Sequence, residues 1–418
     1  MARIGRRGFV AAAAGALSAL AATGDAAAAS DRPAAAPPRT GAERREFRGM
    51  WLASVGNRDW PSVPGLSAAA QRAELLAHLD SAVARRLNVV IFQVRPTADA
   101  LWPSPHEPWS QYLSGVQGRN PGWDPLGTAV TEAHRRGLQL HAWFNPYRVA
   151  NHTDPSLLVP NHPARRNPGW ILPYGGKLYY NPGIPEVRRF VQDAMMDAVR
   201  RYAVDAVHFD DYFYPYPVAG QVFRDDATYA RYGAGHPDKA SWRRSNIDRL
   251  VSEMAARITK ARPGVRFGIS PFGVWRNSAT DPRGSATAAG VQTYDDLHAD
   301  TRTWVRQGWI DYVVPQVYWN IGFQAADYAA LVPWWADVAR GTGVDLYIGE
   351  ALYKAGTPGQ PAPWQDPAEL SRHLTLARRH ATVRGHCFFS AKEVMTDPAG
   401  AMAKVVADHY PTRVRPPS

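Results

Sequence analysis

Between Phe47 and His409 the chain repeats one rhythm eight times. A short, almost wholly apolar segment ends in polar or aromatic residues, and a longer segment of helical period follows. The short segments are FRGMWLASV, NVVIFQVRP, LQLHAWFNPYRV, DAVHFDDYF, RFGISPFGV, IDYVVPQVYW, DLYIGEALY and GHCFFSAKEV. Between them lie helix-like stretches such as SAAAQRAELLAHLDSAVARRL, PEVRRFVQDAMMDAVRRYA and SWRRSNIDRLVSEMAARITKA, then DDLHADTRTWVRQG, Tyr328 to Arg340 and DPAELSRHLTLARRHA, with a last short helix from Pro398 to His409. Alternating β and α segments imply a parallel sheet, and eight such units close into a (β/α)8 TIM barrel of the α/β class. The strand segments are continuous apolar runs, as strands covered on both faces require. The remaining length falls in long loops after the second to fifth strands. In a barrel these loops sit on the C-terminal face, where barrel enzymes hold their sites, and no second domain is needed.

The barrel predicts which side chains converge. Read in order, the strand ends carry Trp51, then Gln93 and Arg95, then Trp143, Asn145 and Arg148, then His208, Asp210, Asp211 and Tyr212. Ser270 follows, then Gln316, Tyr318 and Trp319, then Glu350 and Tyr353, then Lys392 and Glu393. Trp and Tyr rings stack on the apolar faces of sugars, while Asn, Gln, Arg and acidic groups pair with sugar hydroxyls. The mixture suits a carbohydrate better than an apolar ligand or a nucleotide.

Cleaving a glycosidic bond generally takes two carboxyl groups, one protonated and one acting as nucleophile or base. The candidates are Asp210 or Asp211 on the fourth strand and Glu350 on the seventh, placed to flank a sugar bond across the barrel mouth. Strand side chains alternate, so His208 and Asp210 share one face and Val207, Phe209 and Asp211 the other. The two bulky apolar residues fit the helix-facing side, which makes Asp210 the inward catalytic carboxylate. Asp211 lies past the strand end, where it can still turn into the cleft, and YFYPYP (212–217) is a candidate sugar platform. Asp59, Asp99 and Asp281 lie in or near the loops and are weaker candidates.

Other chemistries lack their motifs. No Gly-rich phosphate loop precedes a helix, no G-x-S-x-G elbow occurs, and no His pair has metal-ligand spacing, so neither a metal nor another cofactor is expected. His152 and His162 are read as solvated loop residues. The single cysteine, Cys387 in GHCFFS, reads as a small buried hydrophobe. The net charge of +11 comes from scattered arginines rather than a basic block, and no nucleic-acid-binding module is present.

The first residues stand apart. RIGRRGFVAAAAGALSALAATGDAAAAS has a basic start, an apolar run and small residues ending at Ala27-Ala28-Ala29, the form of a signal peptide. Arg6-Arg7 followed by Gly8-Phe9-Val10 resembles a twin-arginine export signal. The expected organisation is a signal over 1–29, a flexible linker over 30–45, the barrel over 46–410 and a tail over 411–418. The mature chain would be secreted or held in the cell envelope, with no stable membrane anchor.

EFRGMWLASVGNRDWPS (46–62), VHFDDYFYPYP (207–217), FGISPFGVWRN (267–277), VVPQVYWNIG (313–322) and YIGEALYKAG (347–356) together resemble the glycosyl-hydrolase-like family 10 proteins. The resemblance runs from about residue 43 to 410. It implies a TIM-barrel glycosidase, and an envelope enzyme that cleaves peptidoglycan glycan strands, polymers of N-acetylglucosamine and N-acetylmuramic acid. It also implies a nucleophile from an R-x-D pattern on the fourth strand in related barrels. Here His208-Phe209-Asp210 occupies that pattern with His in place of Arg. Two other readings belong to different classes. HFDDY invites comparison with the metal-dependent polysaccharide deacetylases, which also need two closely spaced histidines. A glycan-binding protein without turnover would use the same aromatic cleft.

Overall fold

A computed structural model describes residues 45–417, so the signal-peptide segment and nearly all of the linker lie outside the described residues. Eight parallel strands form a closed barrel in sequence order: β1 (Phe47–Leu52), β2 (Val89–Arg95), β3 (Gln139–Phe144), β4 (Ala206–Phe209), β5 (Arg266–Ile269), β6 (Tyr312–Val313), β7 (Asp345–Glu350) and β8 (Val383–Phe389). The seam joins first to last, with Phe47 beside Gly385 and Trp51 beside Phe389. These are the eight strands expected from the sequence.

The helices form where their signals lie. Ser67 caps the helix Ala68–Ala84 by accepting the Ala70 N–H, and Asp238 caps Lys239–Ala261 through Ser241 N–H. Pro185 opens Pro185–Arg201, where its missing N–H has no cost. Two elements depart from expectation. The fifth helix is broken: Thr293–Asp296 and Thr301–Arg306 are separate because His298 takes a φ of 51° and Asp300 caps the second piece. The sixth strand is only two residues long, since Pro315 has no N–H for the ladder. The loop after β3 carries a small antiparallel sheet of Arg148–Ala150, Lys177–Tyr180 and Ile171–Tyr174.

Apolar side chains between strands and helices make the main core. A second cluster, including Phe47, Val89, Ile91, Ala206, Tyr312, Tyr347 and Cys387, fills the barrel itself. Cys387 is fully buried there, as its context implied. The residues after Tyr410 are tied beneath the barrel. Arg48 donates to Thr412 O at 2.7 Å, Asn88 donates to Val414 O at 3.1 Å, and Glu46 N–H donates to Arg415 O at 3.2 Å. Among the described residues no helix is long and apolar enough to cross a membrane.

At the seam Gly385 has a φ of 151°, and a Cβ there would lie 1.9 Å from the Phe47 carbonyl oxygen. Gly385→Ala is therefore expected to cost more than about 1 kcal/mol, because neither the backbone angle nor the neighbouring strand can yield. A lowered urea midpoint at unchanged m-value would show it; an unchanged midpoint would contradict the seam geometry.

Candidate active site

The C-terminal ends of the strands enclose a cleft of about 480 Å³. Its floor and walls are Trp51, Gln93, Trp143, Arg148, Asp210, Asp211, Tyr212, Tyr216, Ser270, Gln316, Tyr318, Tyr353 and Phe389, with Arg58 at one side. Asp210 and Asp211 are the only carboxylates among them. β4 ends at Phe209, so alternation stops just before the pair and both side chains turn into the cleft.

The two acids are held differently. Asp210 Oδ2 accepts from Trp143 Nε1 at 3.0 Å and Asn145 Nδ2 at 3.1 Å, and its Oδ1 accepts from the Tyr212 backbone N–H at 3.1 Å. Asp211 accepts from the Tyr216 hydroxyl and, at 3.0 Å, from Gln316 Nε2. Burial raises both carboxyls above their ordinary range; the neighbouring Asp211 charge adds to this at Asp210, and the bonds from Tyr216 and Gln316 oppose it at Asp211. Arg148 pulls the other way at both. Its guanidinium lies 5.0 Å from the Tyr212 ring centre and bonds to the Pro96 carbonyl. Two like charges on consecutive buried residues disfavour joint ionisation, so the pair retains one proton to a higher pH than a lone carboxyl would.

Beneath the pair runs a directed chain of hydrogen bonds. Trp51 Nε1–H donates to His208 Nε2 at 3.2 Å, which leaves His208 Nδ1–H facing Tyr312 Oη at 3.1 Å. Tyr312 in turn faces His141 Nδ1 at 2.8 Å. Ser270 Oγ lies 2.9 Å from His208 Nε2. Burial pushes His208 down to about 3 and His141 well below its usual value, so both imidazoles are neutral. His208 is thus a support for Trp51 under the cleft rather than a sugar ligand.

The barrel brings together Trp51, Gln93, Trp143, Arg148, Asp210, Asp211, Tyr212, Gln316 and Tyr318, as the strand ends implied. Gln93 is fully buried. Its Oε1 accepts the Ser54 and Val55 N–H groups, while its Nε2 has no partner among the described residues and remains a donor at the floor. Asn145 stands behind Asp210 as one of its donors. Tyr216, from the expected sugar platform, lines the wall.

Other residues are placed elsewhere. Glu350 is not in the cleft. Gly349 holds the inward position of β7, where a Cβ would meet Pro315 O at 2.9 Å and Trp51 at 3.1 Å. Glu350 therefore turns outward and is fully buried against Tyr328, His373 and His386. Arg95 is sealed on Glu107 at 2.5 Å and donates to the Asn145 and Pro146 carbonyls, so it positions Asn145 and does not face the cleft. Trp319 packs edge-on against Phe272 beyond the wall. Glu393 caps Ser390 and pairs with Arg58 at 2.9 Å, and Lys392 lies in a separate surface cleft. Asp59 accepts from Ala53 N–H and Ser390 Oγ, and burial raises it to about 6. Asp99 is raised by burial to about 7 away from the cleft, and Asp281 is pinned between Arg276 and Arg283. His162 is buried rather than solvated: it accepts from Ala164 N–H and faces the Ala98 carbonyl. Arg58 and Phe389 also line the cleft, beyond the residues expected from the strand ends. Phe389 shares the inward face of β8 with Cys387, so the period-two rule reaches it; nothing in the local pattern marks Arg58.

Residues 46–366 match the family described as Glycosyl hydrolase-like 10. The chain is 50% identical over 368 residues to Glycosyl hydrolase YngK of Bacillus subtilis (strain 168), covering 88% of this chain and 72% of that protein. It is 41% identical over 373 residues to Glycosyl hydrolase DigH of Escherichia coli (strain K12), covering 84% of each. The fold is similar to the PgaB (BpsB) glycoside hydrolase domain from Bordetella bronchiseptica, with a TM-score of 0.54 at 14% identity, over 87% of this chain and 98% of that domain.

Proposed function

From the premise that this chain belongs to the glycosyl hydrolase-like 10 family and is a glycoside hydrolase, we propose that it cleaves the glycan strands of peptidoglycan by acid–base chemistry of Asp210 and Asp211. The observation that carries this reading is the buried carboxyl pair in an aromatic cleft. A pair that keeps one proton beyond the ordinary carboxylate range can protonate a leaving sugar oxygen, while Trp51, Trp143, Tyr212 and Tyr318 offer faces for sugar rings. Arg58 and Arg148 border the same cleft. Guanidinium groups there suit a glycan whose N-acetylmuramic acid units carry carboxylates. The twin-arginine-like leader supports action outside the cytoplasm, in the envelope or beyond it.

The test is incubation of the purified protein with peptide-free glycan strands, intact peptidoglycan and chitin oligomers, with mass spectrometry of the products. Short oligomers of N-acetylglucosamine and N-acetylmuramic acid are expected. Cleavage of chitin oligomers with the strands left whole would overturn the substrate, and strand binding without new reducing ends would overturn cleavage of this polymer. Export is read by fractionation: Arg6→Lys/Arg7→Lys should retain the protein in the cytoplasm.

The pair also sets the pH response. The working form needs its one proton, so kcat/KM should fall as pH rises through the upper ionisation of the pair, which lies above the ordinary aspartate range. A kcat/KM profile on a fixed oligosaccharide checks this. A flat profile from weakly acidic to alkaline pH would contradict it.

A further inference from the structure

Among the described residues, the cleft has no carboxylate where a second catalytic one is usually found. Asp210 and Asp211 are consecutive, with Cα atoms about 3.8 Å apart, and they enter from the end of one strand. A two-carboxylate hydrolase places its groups on either side of the scissile bond, either as nucleophile opposite acid or as base opposite acid with room for water. Across the barrel from β4, the wall is Phe389 of β8 with Tyr353 and Tyr318 beside it. Glu350 is turned outward, and Glu393 and Asp59 are engaged behind the wall. Burial raises the Tyr318 phenol well above its usual range, so it is no nucleophile.

We propose that the nucleophile is carried by the substrate: the carbonyl oxygen of a 2-acetamido group attacks the anomeric carbon, Asp210 holds the N–H of that group, and Asp211 protonates the leaving oxygen. This rests on the reading above that the substrate is an N-acetylated glycan. The Asp211 charge taken by itself favours a proton on Asp210, but the donor sets assign the two roles the other way. Asp210 is surrounded by N–H groups of Trp143, Asn145 and Tyr212, which stabilise a carboxylate and cannot accept a proton from it. Asp211 faces the Tyr216 hydroxyl, which can rotate from donor to acceptor when Asp211 is protonated. The indoles of Trp51 and Trp143 offer an apolar bed for the acetamido methyl group, and Gln93 Nε2 supplies a donor at the floor.

The steps balance. In the first, the acetamido oxygen forms a bond to C1, the bond from C1 to the leaving oxygen breaks, and that oxygen takes the Asp211 proton. The positive charge of the resulting oxazolinium is matched by Asp210. In the second, water adds to C1 from the vacated side and gives a proton to Asp211, while the ring C–O bond breaks and its electron pair returns to the acetamide. The configuration at C1 is retained.

The experiment uses the wild-type enzyme first. Proton NMR of the initial products from an N-acetylglucosaminyl oligosaccharide should show retention, the thiazoline analogue of N-acetylglucosamine should inhibit competitively, and the same oligosaccharide without its N-acetyl groups should lose at least about a hundredfold in kcat/KM. Azide should restore turnover of an aryl N-acetylglucosaminyl oligosaccharide by Asp211→Asn, releasing a glycosyl azide, and should not rescue Asp210→Asn. Inversion overturns the proposal, as does a 2-fluoro sugar trapped covalently on either aspartate, or equal cleavage of the de-N-acetylated substrate. No cleavage of any N-acetylated glycan would instead overturn the substrate reading on which the proposal rests.

Discussion

Asp210→Asn and Asp211→Asn should each lower kcat on glycan strands by about 10²–10⁴-fold, and neither should unfold the barrel. Each removes a group that works in the bond-breaking step, and among the described residues no other carboxylate lines the cleft to replace it. Asn keeps one carbonyl oxygen for the Trp143 or Gln316 donor and turns its amide on the remainder. That loss is offset because each change also removes one member of a buried like-charge pair, whose burial already disfavours ionisation. The measurement is kcat beside a thermal melt for each variant. Near-normal turnover in both variants would remove the pair from the chemistry, and a large fall in Tm alone would make it structural.

The largest stability effect is expected at Glu350. Its carboxylate is fully buried and accepts from Tyr328 Oη at 2.7 Å, His373 Nδ1 at 2.9 Å and His386 Nδ1 at 2.9 Å. Burial alone would raise its pKa, but the His373 charge and the bonds from both imidazoles outweigh it and hold the carboxyl at about 2. His373 lies between Glu350 and Glu369; burial would lower it, and the two carboxylates raise it on balance. Glu350→Gln sets an amide N–H₂ against groups that all donate and removes one of the two carboxylates that face the buried His373. The expected cost is about 3–5 kcal/mol, with Tm lower by several degrees and kcat per folded molecule unchanged.

The pH dependence has a definite sign. Stability from a depressed Glu350 is present above its ordinary value of 4.5 and is lost as pH falls toward about 2. Stability from a raised His373 is full below 6.5 and is lost as pH rises through its folded value. The gap between wild type and Glu350→Gln should therefore be widest between these limits and narrow on both sides. Denaturant melts across that range decide it, and a gap that widened steadily to alkaline pH would contradict the ion pair.

Glu350 also shows what the sequence could tell. The alternation that set Asp210 on the inward face applies equally to DLYIGE: Tyr347 and Gly349 point in, so Glu350 points out with Leu346 and Ile348. That alternation alone places Glu350 outside the cleft. At Asp211 the rule fails, because the strand has already ended at Phe209. The barrel was legible because eight repeats of one pattern leave few alternatives. Arg95 was not, because its partner Glu107 lies in a loop whose path no local period fixes. The neutral state of His208 was equally hidden, since it comes from burial beneath residues that three other strands bring together, Trp51, Ser270 and Tyr312 among them.

The seam has a consequence for how the molecule comes into being. Phe47 is among the first barrel residues to be made and Gly385 among the last, yet they lie side by side. A nascent chain that stops short of Val383 leaves β1 and β7 as bare sheet edges, each a template for strands of other chains. An N-terminal fragment that ends before Val383 lacks the strand that closes the barrel. The closing contacts come after the greatest loop entropy has been met, so they form late. Ribosome-bound chains are thus most exposed to misassembly just before β8 emerges, and residues 412–415, tied beneath β1, fasten the ring once it is whole.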